Sequence, residues 1–206
     1  MLCTAWGLSA EAQNTVESIR KEYQNVHEWI ARMIPDSDGM TGIPPEYYDL
    51  SVVQNLPGTG SHRENIRMYF EDGETDEEGA IYPPHCLHFL TASYNFAAFP
   101  YYEEYLYDAN GQVSFIYAVT PDAVPEDFVP YELRMYFEGD RLLRFTAKRA
   151  NMVKPYDFET LQGLSYTENF SGTAIPRQYE QETSRCILRA KRFLHMFKSI
   201  DDNTYK

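Results

Sequence analysis

The segment Ile66-Arg-Met-Tyr-Phe-Glu-Asp-Gly73 returns as Leu133-Arg-Met-Tyr-Phe-Glu-Gly-Asp140, an offset of 133 − 66 = 67 residues. In both copies an apolar side chain takes every second position, and the run ends in a Gly/Asp turn. Side chains alternate across a strand, so this spacing predicts a strand with one buried face. Ile66, Met68 and Phe70 share that face, as do Leu133, Met135 and Phe137. Arg67, Tyr69 and Glu71 point the other way, as do Arg134, Tyr136 and Glu138. A chain that repeats such a strand folds as an antiparallel sheet of related hairpins.

Strand signals continue on either side of the repeats. Asp108-Ala-Asn-Gly111 separates Tyr101–Tyr107 from Gln112–Val119, and Gly139-Asp140 separates Tyr131–Glu138 from Arg141–Arg149. Both read as tight hairpins. The run His85–Phe99 reads as one long strand or two short ones, and Ser51–Leu56 as a weak strand closed by Pro57-Gly58-Thr59-Gly60. Helical periodicity belongs to the two ends. Over 14–34, Val16, Ile19, Tyr23, Val26, Ile30 and Met33 form one apolar stripe, Asn14 and Glu17 resemble a capping box, and Pro35 stops the helix. Over Arg177–Lys198 a second stripe includes Tyr179, Cys186, Ala190, Phe193 and Phe197. Residues 150–176 are mixed, with a single helical turn expected at Asp157–Leu161. The expected fold is α+β: a twisted antiparallel β-sheet of repeated hairpins flanked by an N-terminal and a C-terminal α-helix, both on one sheet face. At 206 residues and 43% hydrophobic content, 13–206 is expected to form a single domain.

The net charge is −13. Phosphate backbones and anionic bilayers are held by Lys/Arg surfaces, which argues against a nucleic-acid partner and an anionic membrane surface. No stretch approaches the roughly 20 apolar residues of a membrane span. Gly58-Thr-Gly-Ser61 has neither the nucleophile elbow of a hydrolase nor the Lys of a phosphate loop, and no cofactor is expected.

Several residues carry candidate chemistry. The chain has 17 Tyr and 12 Phe. Tyr102, Tyr105, Tyr107 and Tyr136 are candidates for an aromatic ligand-binding face, although core packing explains them equally well. Arg185, Arg189 and Arg192 follow a four- then three-residue spacing that stacks them on one helix face, either as an anion or partner site or paired with acids such as Glu182. Glu71–Glu78 is acidic enough for calcium but lacks the EF-hand spacing, and reads as a solvated loop. His85 and His88 lie three apart on a strand and so diverge; Cys86 with His88 makes only two ligands, and no metal site is assigned. Adjacent Glu103 and Glu104 also diverge. Cys86 and Cys186 either pair in an oxidising compartment, closing 186 − 86 = 100 residues, or remain free thiols.

The N-terminus points to that compartment. A short apolar run ends in Ala10-Glu11-Ala12, the small-x-small pattern of an export signal, so 1–12 is expected to be the remnant of one. With its acidic, Tyr-rich body and hairpins such as Tyr105-Leu-Tyr-Asp-Ala-Asn-Gly111, the chain resembles uncharacterised exported proteins of Gram-negative gut bacteria. The resemblance implies a periplasmic or secreted location and no mechanism. The function expected is a non-enzymatic exported binding or structural module, with a small molecule, glycan or protein on an aromatic-lined sheet face. One alternative is a glycan- or peptide-acting hydrolase with carboxylates converging in a cleft; the other is a subunit that docks on a partner protein.

Overall fold

In the computed structural model the described residues are 15–31, 46–73, 84–124, 127, 129–151, 157, 161 and 163–204. Strands β1 (Glu46–Leu56), β2 (Gly60–Asp72), β3 (His85–Phe96), β4 (Phe99–Tyr107), β5 (Val113–Thr120), β6 (Tyr131–Glu138), β7 (Arg141–Ala150) and β8 (Tyr166–Gly172) form one eight-stranded antiparallel meander in sequence order. Helix α1 (Val16–Ala31) precedes it; a 3-10 turn, Arg177–Tyr179, leads into helix α2 (Glu180–Thr204). The run His85–Phe99 is one long strand, β3, which ends at Phe96, and Ala97 turns the chain into β4 at φ 51°. A helical bond from Leu161 N–H to Asp157 O marks the expected turn, while β8 was not anticipated. The cap of α1 sits one residue later than the sequence suggests: Thr15 Oγ1 accepts from Ser18 N–H at 3.1 Å, and Ser18 Oγ from Thr15 N–H at 2.9 Å. Asn14, Met33 and the start of the chain lie outside the described residues.

The repeats behave as equivalent strands. Ile66, Met68, Phe70 and Leu133, Met135, Phe137 all enter the core beneath α2, whereas Tyr69 and Tyr136 enter the smaller core beneath α1. The ladder slips at matching points, between Tyr69 and Phe70 on β2 and between Tyr136 and Phe137 on β6. In each case the extra residue is on the next strand, His88 on β3 and Leu143 on β7. A bulge at the same level strengthens the twist there.

The two helices occupy opposite faces of the sheet, not one. Phe193, Phe197, Ala190, Cys186 and Tyr179 pack on the first face; Ile19 and Val26 pack on the second. The reason lies in the central strands. In β4, residues 103–107 are all buried, so both faces exclude water and each needs a cover. On the second face that cover is narrow. α1 lies over a single apolar row formed by Tyr69, Phe89, Leu106, Phe115 and Tyr136, paired strand to strand.

Candidate functional site

Glu103 and Glu104 sit together on β4 and leave through opposite faces. On the α2 face Glu103 is the charged member of the otherwise apolar row Ile66–Ala92–Glu103–Ala118–Leu133–Ala147. It is 1% exposed. Its Oε1 accepts from the Tyr94 hydroxyl at 2.7 Å and Arg185 Nη2 at 2.8 Å; its Oε2 accepts from the Tyr105 hydroxyl at 2.6 Å and Arg189 Nε at 2.7 Å. Arg185 also donates to Glu182, and Arg189 donates to Glu64 at 2.6 Å. Burial pushes the Glu103 carboxyl up, but Arg189 and Arg185, with the two tyrosine donors, hold it below its ordinary value. A carboxylate offers about four acceptor positions, and all four are used. Glu103 is thus a closed anchor for α2, with nothing left to act on a substrate.

The α1 face is different. Beside the apolar row run two polar rows that cross the sheet. The first is Asp49–Arg67–Thr91–Glu104–Tyr117–Arg134–Thr146, and the second Ser51–Asn65–Ser93–Tyr102–Val119–Glu132–Lys148. Together they form a band along the edge of α1. At one end it opens into a hollow of about 550 Å³ lined by Arg67, Tyr69, Phe89 and Tyr102 of the sheet and by His27 and Ile30 of α1. Within that hollow Arg67 Nε donates to Asp49 Oδ2 at 2.9 Å.

Two carboxylates organise the band. Glu104 Oε1 accepts from the Tyr102 hydroxyl at 2.6 Å, and Oε2 accepts from the Tyr23 hydroxyl of α1, with His27 Nε2 at 3.4 Å. Burial, reinforced by the Glu104 charge, pushes the Tyr23 and Tyr102 phenols far above the usual range, so they stay protonated donors. Glu132 accepts from Arg134 Nε at 2.9 Å and lies 3.2 Å from Lys148 Nζ. The Tyr117 hydroxyl donates to it at 3.4 Å, and the Arg134 guanidinium lies 5.4 Å from the centre of the Tyr117 ring.

The expected site residues are dispersed. Tyr102 lies on the band. Tyr105 and Tyr107 are buried beneath α2, where the Tyr107 hydroxyl donates to Ala190 O at 2.9 Å; Tyr136 is buried beneath α1. Tyr105 and Tyr107 lie on the opposite face from Tyr102, and Tyr136, on the same face as Tyr102, is buried in the core. The arginine stack also divides: Arg185 and Arg189 turn to Glu103, while Arg192, about 10 Å beyond Arg185 along the axis, is exposed and makes no ion pair among the described residues. Cys86 and Cys186 are free thiols. Cys86 is exposed in a hollow beside Ser18 and Ile19 of α1, and Cys186 is in the core beneath α2, so the sheet lies between them. His85 and His88 do diverge, His85 Nδ1 to Asp201 on α2 at 2.6 Å and His88 Nε2 to Glu22 on α1 at 3.2 Å. Among the described residues no group of three or more His, Cys, Asp or Glu could hold a metal ion. Residues 74–78 of the acidic loop lie outside them. Sequence reading missed Tyr117, Glu132 and Arg134 as band residues. Glu132 and Arg134 continue the polar alternate face of β6 and Tyr117 lies on β5, and they acquire meaning together only when the register lines up neighbouring strands.

No helix among the described residues is long and apolar enough to cross a membrane. Comparison of the chain with protein-family models, with curated proteins and with solved structures returns no match.

Proposed function

We propose that the protein is a non-enzymatic binding module whose ligand is an extended hydroxyl-rich molecule, a glycan, laid across the strands on the polar band beside α1. The observation that carries this reading is the band itself: two rows crossing the sheet whose side chains, Val119 apart, can hydrogen-bond, with half-buried Tyr102 and Tyr117 among carboxylates, guanidinium and hydroxyls. Sugars need this mixture, since their hydroxyls donate and accept while their C–H faces rest on aromatic rings. The test is titration of the protein with a panel of neutral and acidic oligosaccharides, followed by amide NMR shifts. Shifts clustering on Ser93, Tyr102, Tyr117 and Arg134, and binding lost in Arg134→Ala with the fold intact, support the reading. An unresponsive spectrum across the panel rejects it.

A hydrolytic reading has one observation in its favour. Glu104 and Glu132 share the band on either side of Tyr117, two strands apart and offset by two residues, roughly 12 Å between backbones. Retaining and inverting glycosidases place their carboxyls about 5–9.5 Å apart. Against it, both Glu104 oxygens already accept tyrosine hydroxyls, and Glu132 is engaged by Arg134 and Lys148. Release of reducing sugar that disappears in both Glu104→Gln and Glu132→Gln would establish it over simple binding.

The export reading is part of the same proposal and rests on the Ala10-Glu11-Ala12 pattern and the resemblance to exported gut-bacterial proteins. Cell fractionation with N-terminal sequencing tests it: a mature chain starting at Gln13 supports it, and an intact cytoplasmic chain overturns it.

A further inference from the structure

Between Thr183 and Ile200 the solvent side of α2 has a single charge sign, with Glu180 and Asp202 exposed at its two ends. Leu188, Lys191, Arg192, His195 and Lys198 follow one another at steps of one and three residues, which places them on one stripe of the helix, and all are exposed. From Thr183 to Ile200 the helix contains no Asp or Glu, in a chain with 31 acidic residues. Among the described residues Lys191, Arg192 and Lys198 make no ion pair, in contrast to Arg185 and Arg189 on the same helix. Helix α1 shows what an ordinary solvent face looks like in this protein: Glu17, Arg20, Lys21, Glu22 and Glu28 mix the signs. Like charges three and four apart repel along a helix. The C-terminal end of the dipole favours cations only within the last turn, and Lys191 and Arg192 lie well before it.

Leu188, the most exposed large hydrophobic residue of α2 at 49%, sits at one end of this stripe. An apolar anchor beside a run of cations suits a partner with the opposite pattern. We infer that this stripe docks an acidic polypeptide segment carrying an apolar side chain, along about 15 Å of helix from Leu188 to Lys198. A bilayer does not fit, because interfacial helices insert a broad apolar face and this stripe offers one leucine. Nucleic acid does not fit, because a long polyanion would meet the −13 body beyond the stripe. The surface lies on the face of the sheet opposite the polar band and is independent of the glycan reading.

The test uses the full chain and three probes: a synthetic Glu/Leu helical peptide, vesicles containing phosphatidylglycerol, and single-stranded DNA. The peptide is expected to bind, more weakly as salt rises, and to lose about tenfold or more in affinity in Lys191→Glu/Arg192→Glu/Lys198→Glu. Leu188→Ala is expected to weaken binding at high salt as well, where charge is screened. Circular dichroism of both variants should match the wild type, since every altered side chain is exposed. Absence of peptide binding, binding indifferent to the charge reversal, or tighter binding of vesicles or DNA than of peptide would each overturn the inference.

Discussion

Glu103 and Glu104, neighbours on β4, receive the two helices from opposite sides of the sheet: Arg185 and Arg189 of α2 close on the first, Tyr23 and His27 of α1 on the second. One dipeptide at the centre of the meander therefore sets the position of both covering layers. The two attachments differ in kind. Glu103 is sealed, whereas Glu104 opens onto the polar band.

Replacing Glu103 with Gln leaves Arg185 and Arg189 partly buried without their shared counter-charge. Removing one partner of a buried pair typically costs roughly 3–5 kcal/mol. Urea denaturation should show a loss of that order. A fall below about 1 kcal/mol would mean that the arginines find other partners.

The same residue makes stability depend on pH in a defined direction. The folded-state value of Glu103 is below its ordinary 4.5, so its contribution is complete above that value and is lost as pH falls through the folded value. The gap in unfolding free energy between wild type and Glu103→Gln should be constant above about pH 5 and narrow steadily on acidification. A gap that widens at low pH would contradict the direction of the shift.

The cysteines should react at different rates. Cys86 is exposed, while Cys186 is buried and its thiol is pushed well above the usual range by burial first and by Glu103 next. Alkylation mapped by mass spectrometry should label Cys86 in the native protein and Cys186 only after unfolding. A peptide linking the two through a disulfide would contradict the arrangement.

Gly111 turns the β4–β5 hairpin at φ +73°, where an added Cβ would meet only Leu194, at 3.8 Å. Space is available, so the penalty of Gly111→Ala is backbone strain alone, about 1–2 kcal/mol. Gly73→Ala differs: its Cβ would meet Pro84 O at 2.7 Å at normal φ, and the loss there comes from a clash with backbone. Thermal unfolding of the two variants distinguishes these origins. Gly111→Asn should recover part of the loss, because Asn tolerates the left-handed region, and Gly73→Asn should recover none.

Much of the secondary structure is legible in local signals: period-two alternation in Ile66–Phe70 and Leu133–Phe137, turn residues at Asn110-Gly111 and Gly139-Asp140, and the helical stripe of Phe193 and Phe197. β8 escaped because Tyr166–Gly172 is largely polar and is held at the sheet edge by pairing with β7. The faces were decided only by tertiary structure. Alternation says that Tyr69 and Tyr136 oppose Met68 and Met135, but not that a second helix waits for them. Only when eight strands align in one register do single polar residues such as Thr91, Glu104, Tyr117 and Arg134 become a band. The arginines show the same limit: helical spacing placed Arg185, Arg189 and Arg192 together, and the position of Glu103 beneath the helix separated them, because one buried carboxylate can be reached from only part of the helix.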